Sequence, residues 1–239
     1  MTTILHPDLP QEMRGPHSLP GVAPCDPQDW LRVDAAYADQ MAYRTELIRD
    51  RRQAVLARQQ GSEAACREVL EEALAVLPGL GFTVGANRVD CPDGRSVALD
   101  WSDPLSCLGH LVQEDICILQ KPEGAQEHLL TAAVLCFPAN WRLAEKIGRP
   151  LTAIHIPVAE YDADLARRVQ RLFDGVREGR PLWRYNRLRY VDADLHQPVR
   201  RRTDGDMKYV RSERQCILRL PRTQAVVFSI HTYVIHTPD

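Results

Sequence analysis

The sequence predicts an α+β protein: helices first, then a mostly antiparallel sheet with two helices inserted. Three observations predict it. Apolar residues recur at helical spacing between residues 31 and 77. The period shifts toward two from residue 114 onward. The strand–helix alternation of a dinucleotide fold is missing, as are its G-x-G-x-x-G fingerprint and the G-x-x-x-x-G-K-[ST] phosphate loop.

Residues 1–30 carry Pro7, Pro10, Pro16, Pro20, Pro24 and Pro27, which forbid a regular helix. They read as an extended arm lying over the body or partly loose, and residues 31–239 read as one domain. Tyr37, Met41, Arg44, Ile48, Val55 and Leu56 predict one long helix over 31–59, which Gly61 ends. Ser62 can cap the next helix, whose stripe is Val69, Leu70, Ala73, Leu74 and Leu77 and which Pro78-Gly79 stops. Pro92-Asp93-Gly94-Arg95 predicts a tight turn, followed by a short strand at 97–99 and a short helix around 104–112. Strands are predicted at 116–121 and 129–137, joined by a turn at Pro122-Glu123-Gly124. A short helix then runs through Trp141–Ile147. A strand follows at 152–158, and a helix runs from Asp162 to about Val176. The last strands are Leu182–Val191, Gln215–Leu220 and Ala225–Ile235, the clearest of all in its β-branched and aromatic content.

At 239 residues and 44% hydrophobic, the chain can bury a substantial core. A net charge of -2 does not suit a general polyanion binder. The seven cysteines show no C-x-x-C spacing, and several sit in apolar runs. That fits buried free thiols and argues against a zinc site, a disulfide framework or an iron–sulfur cluster in this chain. Neither a signal peptide nor a run long enough to span a membrane is seen, so a cytoplasmic location is expected.

Five segments could carry chemistry. In Ile154-His155-Ile156-Pro157-Val158 a strand would turn His155 away from its apolar neighbours, and a neutral imidazole can bind iron. A hydrogen-bonded histidine without a ligand is the plainer reading of the spacing. Arg211 and Arg214 flank Glu213, and an arginine fork can hold a carboxylate, although a solvated charge run looks the same. Ser229, His231 and Tyr233 share one face of the last strand and could line a polar pocket. Trp183-Arg184-Tyr185-Asn186-Arg187 alternates aromatic and basic groups as single-strand nucleic-acid grooves do, and equally as any half-packed strand does. Glu114-Asp115 is a carboxylate pair that suits acid–base work or, more plainly, a turn or cap.

Taken in order, Glu114-Asp115, Phe137-Pro138-x-x-Trp141, Ile154-His155-x-Pro157-Val158, Arg184-x-Asn186, Arg211-x-Glu213-Arg214-Gln215 and Phe228-x-Ile230-x-Thr232-Tyr233 form a series. That series resembles the α-subunit family of the haem-dependent oxidative N-demethylases over residues 30 to 236. The resemblance implies a PAS-like fold, a curved antiparallel sheet flanked by helices with an N-terminal helical segment. It implies a b-type haem bound non-covalently, in keeping with the missing C-x-x-C-H. It implies oxidative demethylation of a small secondary amine such as dimethylamine, with O2 as oxidant and electrons from a separate flavin and iron–sulfur reductase chain. Nucleic acid and membrane partners are not implied, and an oligomer is compatible with it. A haem-based sensor or carrier is the alternative. Carried over by position, His155 becomes the iron ligand, and Arg211, Arg214, Asn186 and Trp141 become cofactor contacts. His231, Glu213 and Tyr233 are the catalytic candidates. His231 is also a rival iron ligand, and it stands where the family more often carries arginine.

Overall fold

The computed structural model describes residues 3–15, 21–155, 163–199 and 205–237. The predicted first helix divides. β1 (Ala23–Pro24) precedes α1 (Tyr37–Asp50), which buries Tyr37, Met41, Arg44, Leu47 and Ile48. Arg51 leaves the helical region at φ −133° and ψ 31°, and α2 (Arg52–Val55) is a single turn. Leu56–Arg58 is then strand β2, not helix. Its backbone pairs with the edge of the large sheet, where Gln59 N donates to Thr131 O at 2.7 Å and Leu135 N to Val55 O at 2.6 Å. Covering that edge outweighs one further helical turn.

α3 (Glu63–Val76) buries Val69, Leu70 and Ala73 as the spacing predicts, and a short 3-10 turn over Leu77–Leu80 ends it. Ser62 sits at its start, but its hydroxyl donates to Gln59 O at 2.6 Å instead of capping the helix. β3 (Thr83–Val84), β4 (Arg88–Asp90) and β5 (Ser96–Ala98) make a small antiparallel sheet. The predicted turn joins β4 to β5, with Gly94 at φ +83°, a conformation that favours glycine. α4 (Pro104–Leu111) follows with Pro104 in its first turn.

The large sheet comprises β6 (Asp115–Gln120), β7 (Leu129–Val134), β8 (Leu182–Tyr190), β9 (Tyr209–Arg219) and β10 (Val226–His236), with β1 and β2 at its edges. Its order is β1-β8-β9-β10-β6-β7-β2, and every pairing is antiparallel. Between β7 and β8 lie α5 (Leu143–Lys146), α6 (Leu151–His155) and α7 (Ala163–Gly175).

Two large cores form, one on each face. α1, α3 and α4 pack on the first face against Ile116, Ile118, Ala132, Val134 and Val227. Residues of α5, α6 and α7 pack on the second face against Cys117, Leu119, Ala133, Ile217 and Val226. The N-terminal segment also lies on the body, with Ile4, Leu9 and Met13 buried. His6 N donates to Val234 O at 2.7 Å.

Three further segments differ from expectation. Residues 151–155 are helical, whereas the β-branched run at 152–158 predicts a strand. Leu151 and Ile154, three apart, both pack into the second core, and Glu127 accepts bonds from Thr152 N (2.9 Å) and Oγ1 (3.0 Å) in the first turn. Residues 156–158 lie outside the described residues. The helix expected over Trp141–Ile147 shortens to α5, since Asn140 adopts φ +66° just before it. Residues 209–214, expected as a charged approach to a strand, are already β9. Its charges are paired within the strand, as Arg211 with Glu213, and with the N-terminal segment, as Arg214 with Asp29, which hydropathy alone does not reveal.

Candidate functional site

Register assigns every candidate on the sheet to a face. Asn186 lies opposite Glu213, and Arg184 opposite Gln215. Thr232 lies opposite Glu213, Ile230 opposite Gln215, and Phe228 opposite Ile217. Since side chains alternate along a strand, Arg211, Glu213, Gln215, Arg184, Asn186, Phe228, Ile230 and Thr232 all belong to the second face. Arg214, Cys216, Trp183, Tyr185, Ser229, His231 and Tyr233 belong to the first. The sheet therefore separates Arg211 from Arg214, and Glu213 from His231 and Tyr233.

On the second face a chain of bonds runs from a buried cation to a half-buried one. Arg211 Nη1 donates to Leu195 O at 2.9 Å, and its Nη2 donates to Phe137 O at 2.5 Å and to Glu213 Oε1 at 3.3 Å. Glu213 Oε2 accepts from Asn186 Nδ2 at 2.9 Å and from Gln215 Nε2 at 3.0 Å. Gln215 Oε1 in turn accepts from Arg184 Nη1 at 2.8 Å. Arg184 ends the chain with only a neutral amide, and among the described residues it has no ion pair and its buried Nε has no partner. Burial lowers its pKa and Glu213 only partly offsets that. A guanidinium in that state favours an incoming anion. Thr232 Oγ1, also buried on this face, is likewise without a partner among the described residues. On the same face Leu182 and Phe228 both lie opposite Ile217, two positions along the sheet from Arg184 and Gln215, and Trp141 and Ile154 also pack half-buried at the margin of the second core.

The first face carries a different cluster. His231 Nδ1 bonds Glu114 Oε1 at 2.8 Å, and its Nε2 bonds Asp34 Oδ2 at 3.0 Å. Asp34 Oδ2 also takes His6 Nε2 at 2.8 Å, and Val234 N donates to His6 Nδ1 at 3.3 Å. Burial opposes charge on His231, but Glu114 and Asp34 outweigh it and push its pKa up to about 9. Burial likewise opposes charge on Asp34, and its bonds to His231 and His6 hold it well below the usual carboxylate range. The three groups His6, Asp34 and His231 have the makings of a metal site. The backbone N–H on His6 Nδ1 instead leaves the proton on Nε2, where Asp34 accepts it, so the cluster is complete with protons alone. Tyr233 lies against both imidazoles, with centroids 4.9 Å from His6 and 4.7 Å from His231.

The remaining candidates resolve into packing. Arg187 donates to Met13 O, and Tyr185 Oη donates to Gly15 O at 2.6 Å. The aromatic–basic row is thus a seat for the N-terminal segment. Asp115 is buried and pairs with Arg44 at 2.7 Å, and its carboxylate also accepts from Cys136 N and Phe137 N. Glu114-Asp115 stands at the bend that leads into β6, as the turn reading expects, and forms a buried hub of ion pairs and hydrogen bonds. His155 closes α6 directly after Ile154, and its side chain lies outside the described residues.

Sequence reasoning singled out Arg211, Glu213 and Asn186 but not the bond chain that ends on Arg184. The signal was present: Arg184 is two residues from Asn186 and so shares its face. Asp34 and His6 were not flagged, and nothing local marks them.

The fold and this face define a class: an α+β protein whose antiparallel sheet carries, among the described residues, a cation without an ion pair on the same face as half-buried apolar side chains. Residues 21–239 match the family described as haem-dependent oxidative N-demethylase, alpha subunit-like, and the chain belongs to that family. The family's description implies haem and further subunits. The second face suits such a group, because a flat apolar macrocycle with carboxylate arms needs both apolar walls and a cation lacking an anion.

Proposed function

We propose that this chain binds a b-type haem on the second face of its sheet. We propose further that it demethylates a small secondary amine of the dimethylamine kind oxidatively, with O2 and electrons from a separate flavin and iron–sulfur reductase chain. The observation that carries the reading is Arg184, half-buried and without an anion among the described residues, on the face where the apolar margin lies. Family membership supports a haem propionate as that anion. The antiparallel β8–β9–β10–β6–β7 order with helices on both faces supports a relation to PAS domains. The missing nucleotide and cluster motifs fit a reductase on another chain, and a cytoplasmic location fits the free thiols.

When bound, the haem supplies iron chemistry with O2 that no side chain can provide. The residues of this chain bind, orient and exclude water. Arg184 holds a carboxylate. Gln215 fixes its Nη1, and Glu213 fixes Gln215 and Asn186 through Oε2 and Arg211 through Oε1. Arg211 ties this face to the Phe137 and Leu195 carbonyls, so the chain of bonds starts from rigid backbone. Trp141, Leu182 and Phe228 supply apolar cover, and His155 is the residue assigned to iron. In this reading His231 and Tyr233 hold the N-terminal segment, and Arg214 serves the opposite face.

The test is formaldehyde release from dimethylamine by the haem-loaded chain with a surrogate reductase. Methylamine and formaldehyde in equal amounts are expected. A haem-loaded, reducible chain that yields neither points to a sensor or carrier.

A further inference from the structure

We propose that Cys25 and Cys216 form a redox-active dithiol, which hydrogen peroxide converts to a disulfide linking the N-terminal segment to the central sheet. All seven cysteines are free and buried, yet these two share a setting the other five lack. Cys25 follows β1 directly, and its N–H donates to Pro181 O at 2.9 Å. Cys216 lies on the first face of β9, opposite Trp183 and Ser229. One guanidinium grips both sulfurs: Arg214 Nη1 donates to Cys216 Sγ at 2.9 Å, and Nη2 donates to Cys25 Sγ at 3.4 Å. Among the described residues, no other cysteine sulfur accepts a bond from a guanidinium. The Arg214 fork is itself fixed, by Asp29 Oδ2 at 2.8 Å and by the Trp183 ring at 5.2 Å.

A thiolate beside a cation is the nucleophilic form of cysteine. Both sulfurs sit on the same guanidinium, which brings the two thiols together. The bond from Cys216 lowers the Cys25 pKa to about 7; burial opposes this, and the charge and hydrogen bond of Arg214 reinforce it. The same contact pushes the Cys216 thiol up, so Cys216 keeps its proton. Exposure ranks the two roles: Cys25 is 7% exposed and Cys216 1%, so an oxidant from solvent meets Cys25 first.

The Cys25 thiolate attacks one peroxide oxygen. An S–O bond forms, the O–O bond breaks, and the departing hydroxide takes up the proton Cys25 has lost. The Cys216 sulfur then attacks Cys25 Sγ. The S–S bond forms, the S–O bond breaks, and water leaves with the Cys216 proton. The two sulfurs give up two electrons, and one peroxide becomes two waters.

The experiment treats the reduced full chain with stoichiometric peroxide. Remaining thiols are alkylated in denaturant, and the digest is mapped by mass spectrometry. Expected are a Cys25–Cys216 linked peptide, loss of two alkylation sites, and their return with dithiothreitol. Cys216→Ala should abolish the link and leave Cys25 as a sulfenic acid that dimedone traps. Arg214→Lys keeps the charge but loses the fork, and should slow the link by roughly tenfold. A wild-type chain that keeps all seven thiols, or links any other pair, overturns the proposal; so does Cys216→Ala in which dimedone finds nothing at Cys25. The wild-type map decides the question even if the variants fail to fold.

Discussion

His231 shows how one residue can bind distant parts of the chain. It lies between Glu114 and Asp34, the latter 197 positions away, and Asp34 passes the link on to His6. Its folded pKa of about 9 lies above the unfolded value of about 6.5. Its stabilisation is therefore fully present below pH about 6.5 and is lost as pH rises toward about 9, on the order of 3 kcal/mol. Asp34 acts with the opposite sign: its folded pKa is depressed, so its contribution is lost as pH falls below the unfolded value near about 3.9. Urea midpoints measured across pH should show a plateau between those limits and a fall on the alkaline side. His231→Gln should flatten that fall, and an unchanged alkaline slope would place the titration elsewhere. Alternation in β10 placed His231 and Tyr233 together on one face, as the sequence predicts. The partners came from loops far away in sequence, and no local pattern encodes them.

At the scale of elements, β9 is the part least legible in advance. Its first half reads Tyr209-Val210-Arg211-Ser212-Glu213-Arg214, which hydropathy takes for an exposed charge run. It is buried because every charge there has a hydrogen-bonded partner: backbone carbonyls and Glu213 for Arg211, Asn186 for Glu213, and Asp29 for Arg214. Arg211→Met removes the cation from Glu213 and orphans the Phe137 and Leu195 carbonyls, so it should cost about 3–5 kcal/mol in chemical denaturation. A loss below about 1 kcal/mol would show that those groups find other partners or water. The other misreadings have the same root. β2 became a strand because the β7 edge needed a partner, and α6 became helical because Leu151 and Ile154 could then share a core. Tertiary pairing decided both against local propensity. Elements with a full internal pattern, α3 and β10, and the glycine turn at Gly94 fell where predicted.

For the whole molecule, the two faces of one sheet divide the work. The first face closes over a core and is sealed by the N-terminal segment, and the second presents Arg184 beside half-buried apolar groups. The α+β class and the family were legible because they rest on order along the chain, and the family match covers residues 21–239. The division into faces was not, since it needs the register of β8, β9 and β10. Deleting residues 1–15 should expose Leu9 and Met13 contacts and strip His6 from Asp34, lowering stability by roughly 3 kcal/mol or more. Thermal unfolding checks this, and an unchanged midpoint would mean the segment is not held in solution. The central claim concerns the second face, and haem titration followed by absorption tests it most directly. The account predicts a Soret band saturating at one haem per chain, altered in His155→Ala. It also predicts affinity roughly tenfold weaker in Arg184→Ala, with folding intact. A chain that develops no Soret band, or an Arg184→Ala variant that binds haem as tightly as wild type, would contradict it.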